Sequence, residues 1–208
     1  MISHRYKCIF VHIPKTGGYS ITDVIWPSVT DRTEENLWMG FTNPHGNKHQ
    51  TGGLQHLLGT MIRQEVGTEI FDSHWKFTIV RNPWDKAVSQ YLYMRNRHDL
   101  RDFIGMKNDE SLAGYLDLIK KKAHVQWEPQ HKFVLDNNGD NLLDYIGRFE
   151  QLEQDASTIL ATIGCAAKKL PHLNKSNRKH YRDYFDDETR EIVREFYAQD
   201  IELLEYEF

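Results

Sequence analysis

The sequence predicts one α/β domain over residues 1–208, with a short central parallel sheet flanked by helices. Two short and nearly continuous apolar runs, at residues 6–13 and 75–80, are typical of buried parallel strands. A proline follows each run closely, Pro14 after the first and Pro83 after the second, and each proline is followed by a helical pattern. Strands that alternate with helices in this way favour a parallel sheet.

Composition and charge exclude several classes of protein. The chain has 208 residues, of which 39% are hydrophobic and 27% are charged, so it falls outside the disordered, collagenous and disulfide-scaffold classes. Its formal net charge is -4, whereas a protein whose whole surface binds nucleic acid is usually basic. Any site for an anion must therefore be local, and we expect no nucleic-acid partner.

The two cysteines, Cys8 and Cys165, lie far apart and outside any zinc-type or redox spacing. We expect both to be reduced and buried as small hydrophobic residues. No stretch approaches the ~18 consecutive apolar residues of a membrane-spanning helix. The sequence thus predicts a cytoplasmic protein without a membrane span.

The remaining elements follow from periodicity and capping signals. Ser111 is placed to cap a helix whose apolar positions repeat at the helical spacing. A polar excursion occupies residues 27–53. Helices are also predicted at 20–25, 54–66, 84–94, 154–163 and 187–206, and extended segments at 133–135 and 142–149.

The turn after the first strand has the components of an anion-binding loop. Gly17 and Gly18 let backbone N–H groups converge, the following helix N-terminus adds partial positive charge, and Lys15 adds a full one. Taken alone, the turn could equally be a tight connection with a surface lysine. The complete turn consists of Lys15, Thr16, Gly17, Gly18, Tyr19 and Ser20.

The order of residues in this turn differs from a Walker A loop, in which the lysine follows the glycines. The segment Phe-Val-His-Ile-Pro-Lys-Thr-Gly-Gly-Tyr-Ser at residues 10–20 resembles the 5′-phosphosulfate loop of sulfotransferases that use 3′-phosphoadenylyl sulfate (PAPS). The resemblance is to the carbohydrate-type branch, family 2-like, and it extends from residue 10 to about residue 206. It implies a P-loop-like sulfotransferase fold, PAPS as donor and its product PAP, with the turn binding the cofactor.

A second segment, at residues 77–91, resembles the 3′-phosphate strand and helix of the same family. The resemblance assigns the 3′-phosphate to Arg81 and Ser89. Arg81 also directly follows a predicted strand, where ligands bind in open α/β sheets, and its planar fork suits a phosphate. The family often has a second arginine where this chain has Lys86, which keeps the charge without the bidentate geometry.

A third segment, residues 168–182, holds six Lys and Arg residues and no acid. It resembles the family segment that folds over the cofactor end of the cleft, which makes Ser176, Arg178 and Tyr181 candidate cofactor contacts. A solvated basic loop is the alternative. Residues 147–150, Gly-Arg-Phe-Glu, also resemble a family signature, but an Arg/Glu pair at a strand end is more often structural, so we leave them outside the site.

Sulfuryl transfer requires positioning, stabilisation of the leaving phosphate and a base for the attacking hydroxyl. Lys15 is the candidate stabiliser. His49 is the candidate base because it lies in the polar excursion, where related sequences have a Lys-His-x-Thr pattern; His45 and His56 are the alternatives. No metal is required for this chemistry, and no acidic cluster indicates one.

The sequence therefore predicts a PAPS-dependent sulfotransferase, bacterial and acting on a hydroxyl of a saccharide or glycolipid. Two other classes remain open. A nucleotide or small-molecule kinase would show the Walker A order and a metal-holding acid, and a non-catalytic nucleotide- or nucleic-acid-binding domain would leave the segments around Lys15 and Arg81 unexplained. The acceptor and the oligomeric state have no signal in the sequence.

Overall fold

The computed structural model describes residues 1–33, 35–37, 54–166 and 178–208. Its strands are β1 (Ile2–Ser3), β2 (Cys8–Phe10), β3 (Trp75–Val80) and β4 (Tyr145–Arg148). Its α-helices are α1 (Gly18–Ile25), α2 (Gly59–Val66), α3 (Thr68–Ser73), α4 (Pro83–Met94), α5 (His98–Ile104), α6 (Leu112–Lys121), α7 (His131–Val134), α8 (Leu152–Thr162), α9 (Asp187–Phe196) and α10 (Ala198–Leu203). The chain forms two compact units, one of Met1–Val80 with Gln130–Lys175 and one of Arg81–Pro129 with Ser176–Phe208.

The first unit contains a small open sheet with the strand order β1-β2-β3-β4. β2, β3 and β4 are parallel, with Phe10 opposite Phe77 and Phe77 opposite Tyr145. β1 pairs with β2 in the antiparallel direction, so the sheet is mixed. The predicted α/β class is confirmed. The antiparallel edge strand β1 was not predicted, because a strand of two residues has no periodicity to detect.

β2 is shorter than the predicted strand at residues 6–13. Lys7 has a positive φ of 46°, which bends the chain before the ladder begins. Beyond Phe10 the backbone stays attached to β3, since Val11 N donates to Phe77 O (2.9 Å) and Thr78 Oγ1 donates to Val11 O (2.6 Å). The chain therefore reaches the glycine turn from a fixed direction.

A row of stacked aromatic rings supports the sheet in front of this turn. The ring of Phe10 stacks on Phe77 with centroids 4.9 Å apart and on His12 at 5.0 Å, and Phe77 stacks on Trp75 at 5.3 Å. Residues two apart on a strand share a face, which aligns these rings. The row is buried at Phe10, His12 and Phe77.

The second unit is helical, and its core is formed by apolar faces of α4, α6 and α9. The predicted start of α4 is confirmed: Pro83 occupies the first turn, and the Asn82 side chain accepts from the N–H groups of Trp84 and Asp85. Ser111 likewise caps α6 by accepting from Gly114 N.

Two predicted segments were wrong in detail. The helix expected at 187–206 is two helices, because Tyr197 leaves helical geometry (φ -113°, ψ 26°) while its buried hydroxyl donates to Trp127 O at 2.9 Å. Residues 133–135, expected to be extended, fall largely in α7, and only Leu135 forms a bridge, with Asn141. Helices α3 and α5 carried too short a pattern to be predicted. None of the described helices is both long and apolar enough to span a bilayer.

Candidate functional site

The connection from β2 to α1 has the backbone of an anion cradle. Lys15 (φ 68°) and Gly17 (φ 83°, ψ 7°) adopt left-handed conformations, and Gly18 begins the helix. A left-handed residue before a helical one turns successive N–H groups toward a common point, where they can bind an oxyanion. The left-handed conformation of Lys15 costs roughly 1–2 kcal/mol in a residue with a Cβ. Such strain is typical of functional loops.

Both glycines lie where no side chain fits. A Cβ on Gly17 would meet the ring of Phe149 at 2.8 Å and a methyl group of Leu152 at 3.1 Å. A Cβ on Gly18 would lie 2.5 Å from the His12 ring and 2.8 Å from Phe10. The loop is thus pressed between the aromatic row and the segment that follows β4.

The side chains of the predicted turn residues have different environments. Thr16 is buried, and its hydroxyl donates to Ile13 O at 2.9 Å, so it braces the turn from inside. Ser20 is buried in the first turn of α1, Lys15 is partly buried, and Tyr19 is 49% exposed. Lys15 supplies the full positive charge that an anion at the convergent N–H groups would face.

Two histidines line the same unit beside the loop. His12 is fully buried, and burial together with the neighbouring His56 lowers its pKa well below the usual range, so its ring is neutral. His56 is also buried, and its Nδ1 lies 2.9 Å from His12 O. Because a carbonyl oxygen can only accept, Nδ1 of His56 donates the proton in this contact. Of the three histidines considered as the base, His56 is the one that lies among the described residues.

In the second unit, Arg81 follows β3 directly in the chain and is 6% exposed. Its Nε and Nη2 both lie 2.8 Å from Oδ2 of Asp85, one turn into α4. Arg178 donates through Nη2 to the other carboxylate oxygen of Asp85. Asp85 therefore brings together two predicted cofactor-binding residues from distant parts of the sequence. Asp85 carries no signal of this role in the sequence, because an acid in the first turn of a helix is ordinary.

Ser89 lies one helical turn after Asp85 on the same face of α4 and is partly exposed. Tyr181, by contrast, packs against Phe208 with ring centroids 5.8 Å apart, and its hydroxyl accepts from Arg182 Nε at 3.4 Å. His45, His49 and Ser176 lie outside the described residues.

Lys86 is 1% exposed in the core of the second unit, where Nζ donates to Glu128 O (3.1 Å) and lies 5.2 Å from the ring centroid of Tyr197. Burial lowers the pKa of its amine to about 8, and the carboxylate of Asp200 partly opposes this shift. These contacts make Lys86 a structural residue of the core.

We expect Lys86 to make the folding stability depend on pH. Below pH 8 both states hold the proton; between about pH 8 and the unfolded value of 10.5 only the unfolded state does, so stability rises with pH across that window. The rise should amount to about 3 kcal/mol relative to a Lys86→Met variant, measured by urea unfolding at pH 7 and pH 10.5. Parallel pH curves for the two proteins would contradict it.

A strand, a glycine turn and a helix N-terminus in this order form a backbone that can bind an anionic group such as a phosphate or sulfate ester. The sequence model of the sulfotransferase family matches residues 1–207, and the chain belongs to this family. The described fold, a small mixed sheet of four strands flanked by helices, is consistent with this family. No solved structure matches the chain.

Two curated relatives match the chain to different extents. An uncharacterised protein of Archaeoglobus fulgidus is 30% identical over 122 residues, which cover 59% of this chain and 94% of that protein. Carbohydrate sulfotransferase 10 of Xenopus laevis is 24% identical over an alignment of 239 positions, which covers 95% of this chain and 63% of that protein. This chain therefore matches less than two thirds of the second relative's length. The family and this relative support sulfotransfer as the activity.

Proposed function

We propose that the chain is a PAPS-dependent sulfotransferase that moves the sulfuryl group to a hydroxyl of a carbohydrate or glycolipid. The observation that carries the proposal is the loop at residues 15–20, whose left-handed Gly17 and crowded Gly18 form a cradle that leaves no room for side chains. Lys15 beside convergent N–H groups suits the 5′-phosphosulfate of the donor. The name of the Xenopus relative supports a carbohydrate acceptor.

The 3′-phosphate of the donor is proposed to bind Arg81, Ser89 and Arg178. The arrangement around Asp85 fits this role, since Nη1 of Arg178 is buried without a hydrogen-bond partner among the described residues. A guanidinium donor in that state is suited to donate to an anionic ligand. Ser176 and Tyr181 stay weaker candidates, Tyr181 because its ring and hydroxyl already have partners.

In the proposed reaction the acceptor hydroxyl oxygen forms a bond to sulfur as the bond from sulfur to the 5′-phosphate oxygen breaks. His49 takes the hydroxyl proton, and Lys15 stabilises the negative charge that collects on the leaving phosphate, so PAP and a sulfate ester result. His45 and His56 are the alternatives for the base. His56 lies beside the loop, where its Nδ1 donates to His12 O. No metal takes part in this scheme.

The reducing interior of a bacterial cell is the location we propose. Cys8 and Cys165 are both free thiols, Cys8 buried and Cys165 partly buried, with Cys165 Sγ 3.6 Å from the hydroxyl of Tyr6. Unpaired cysteines suit a reducing compartment.

Thermal unfolding with nucleotides tests the proposed donor. PAP without Mg²⁺ should raise the Tm by roughly 5–10 °C at about 100 times its Kd, because it binds only the folded chain. ATP with Mg²⁺ should raise the Tm much less. The reverse preference would favour a kinase, and a larger response to single-stranded oligonucleotides than to PAP would favour a nucleic-acid-binding domain. Transfer of labelled sulfate to saccharide, glycolipid and simple phenol acceptors then tests the acceptor class.

A further inference from the structure

Three charged side chains form a nearly buried cluster in the second unit. Asp85 accepts from Arg81 through Oδ2, at 2.8 Å from both Nε and Nη2, and from Nη2 of Arg178 through Oδ1. The side chains of Arg81, Asp85 and Arg178 are 7%, 12% and 14% exposed. Each carboxylate oxygen thus holds one guanidinium.

The cluster carries an excess of positive charge. Two guanidiniums share one carboxylate, and Nη1 of Arg178 is buried with no hydrogen-bond partner among the described residues. A buried cationic donor without a partner is costly, and an anion bound there would remove that cost. Ser89, four residues after Asp85 on α4, lies on the same helix face and can add a hydroxyl.

We propose that Asp85 is a positioning residue that aims the outer donors of Arg81 and Arg178 at the 3′-phosphate, and so gives the protein its preference for nucleotides that carry one. This inference rests on the proposed function. A guanidinium is a planar fork, so binding one side of it to Asp85 fixes the direction of the other side. Asp85 does not contact the nucleotide itself; it acts through the two arginines.

The carboxylate also has an opposing effect. Its negative charge near a phosphate weakens binding, so removing the charge would tighten binding if positioning were unimportant. The two effects predict opposite outcomes for the isosteric variant Asp85→Asn. The sign of the change in affinity therefore decides between them.

Isothermal titration with PAP and with adenosine 5′-monophosphate, which lacks the 3′-phosphate, measures this sign. Asp85→Asn should weaken PAP binding about tenfold, which corresponds to about 1.4 kcal/mol, and change 5′-monophosphate binding by less than about twofold. In an Arg178→Ala background the same substitution should have a smaller effect on PAP, since one of its two targets is absent. The matched control is Asp99→Asn, which breaks an Arg97–Asp99 pair on the exposed surface of the same unit.

Unchanged or tighter PAP binding by Asp85→Asn would overturn the inference, and so would an equal loss of both nucleotides. If Asp85→Asn does not fold, Arg178→Lys is the variant to test. A lysine ammonium bound to the Asp85 carboxylate has no second N–H group on the far side, as a guanidinium has, to donate to the phosphate. Arg178→Lys should then show the same selective loss of PAP. A wild-type protein that binds PAP no better than the 5′-monophosphate would instead defeat the proposed function, and the inference with it.

Discussion

Replacing Lys15 with alanine should lower kcat for sulfuryl transfer by about 10²–10³-fold and weaken PAP binding. Lys15 is the cation of the loop, beside the left-handed Gly17 and the start of α1. A charged donor aimed at a leaving oxygen stabilises the transition state more than the ground state, so kcat falls more than affinity does. Steady-state kinetics with labelled PAPS and titration with PAP separate the two effects.

Lys7 provides a matched control for this substitution. It is an exposed lysine with a positive φ of 46° at the other end of β2, so Lys7→Ala removes the same charge and, like Lys15→Ala, keeps a Cβ at a left-handed position. We expect Lys7→Ala to keep wild-type kinetics. A Lys15→Ala protein with unchanged kcat would show that Lys15 does not stabilise the transition state.

His49→Ala, the change at the proposed base, should remove transfer and leave PAP binding intact.

Gly18→Ala should destabilise the protein by about 3 kcal/mol and lower its Tm by roughly 10 °C. The added Cβ would lie 2.5 Å from the His12 ring and 2.8 Å from the tip of Phe10. Both rings are buried and stacked on each other, so neither can move without disturbing the aromatic row of the sheet. Displacement of the loop should also abolish the Tm increase caused by PAP. Calorimetry with and without PAP measures both effects.

Gly114 is the control for Gly18→Ala. It also lies in the first turn of a helix, and its Cβ would meet the Glu110 carboxylate, which is the free end of a flexible side chain. Gly114→Ala should therefore be neutral or stabilising by up to about 1 kcal/mol, as helix propensity predicts. Equal losses of stability in the two variants would show that the rings beside Gly18 are not the cause.

The parts of the fold that could be predicted from the sequence are those with a repeated apolar pattern or with a clear boundary residue such as proline. β3 and α4 could be predicted within one residue, because an apolar run ends before Asn82 and Pro83 and a long amphipathic pattern follows. Elements of a few residues, such as β1 and α7, could not, since tertiary contacts rather than local pattern determine them. The break at Tyr197 is of the same kind, because it depends on the Trp127 carbonyl far away in sequence.

The same limit applies to the candidate site. The glycine turn and Arg81 could be recognised because each follows a strand with a characteristic local sequence. The role of Asp85 could not, because it appears only when Arg178 lies against it. Phe149 belongs to the segment 147–150 that we leave outside the site, and its contact with Gly17, like that of Leu152, is visible only in three dimensions. His49, His45 and Ser176 stay predictions.

The contact of Phe149 with Gly17 has a consequence for the order of folding. The two residues lie near opposite ends of the first unit's sequence, so the wall of the cradle is supplied long after the cradle itself has been synthesised. Contacts between such distant residues form late, since closing a long loop of chain costs entropy before any contact compensates for it. During synthesis, the nascent chain should therefore gain its affinity for the nucleotide only after residue 152 has left the ribosome.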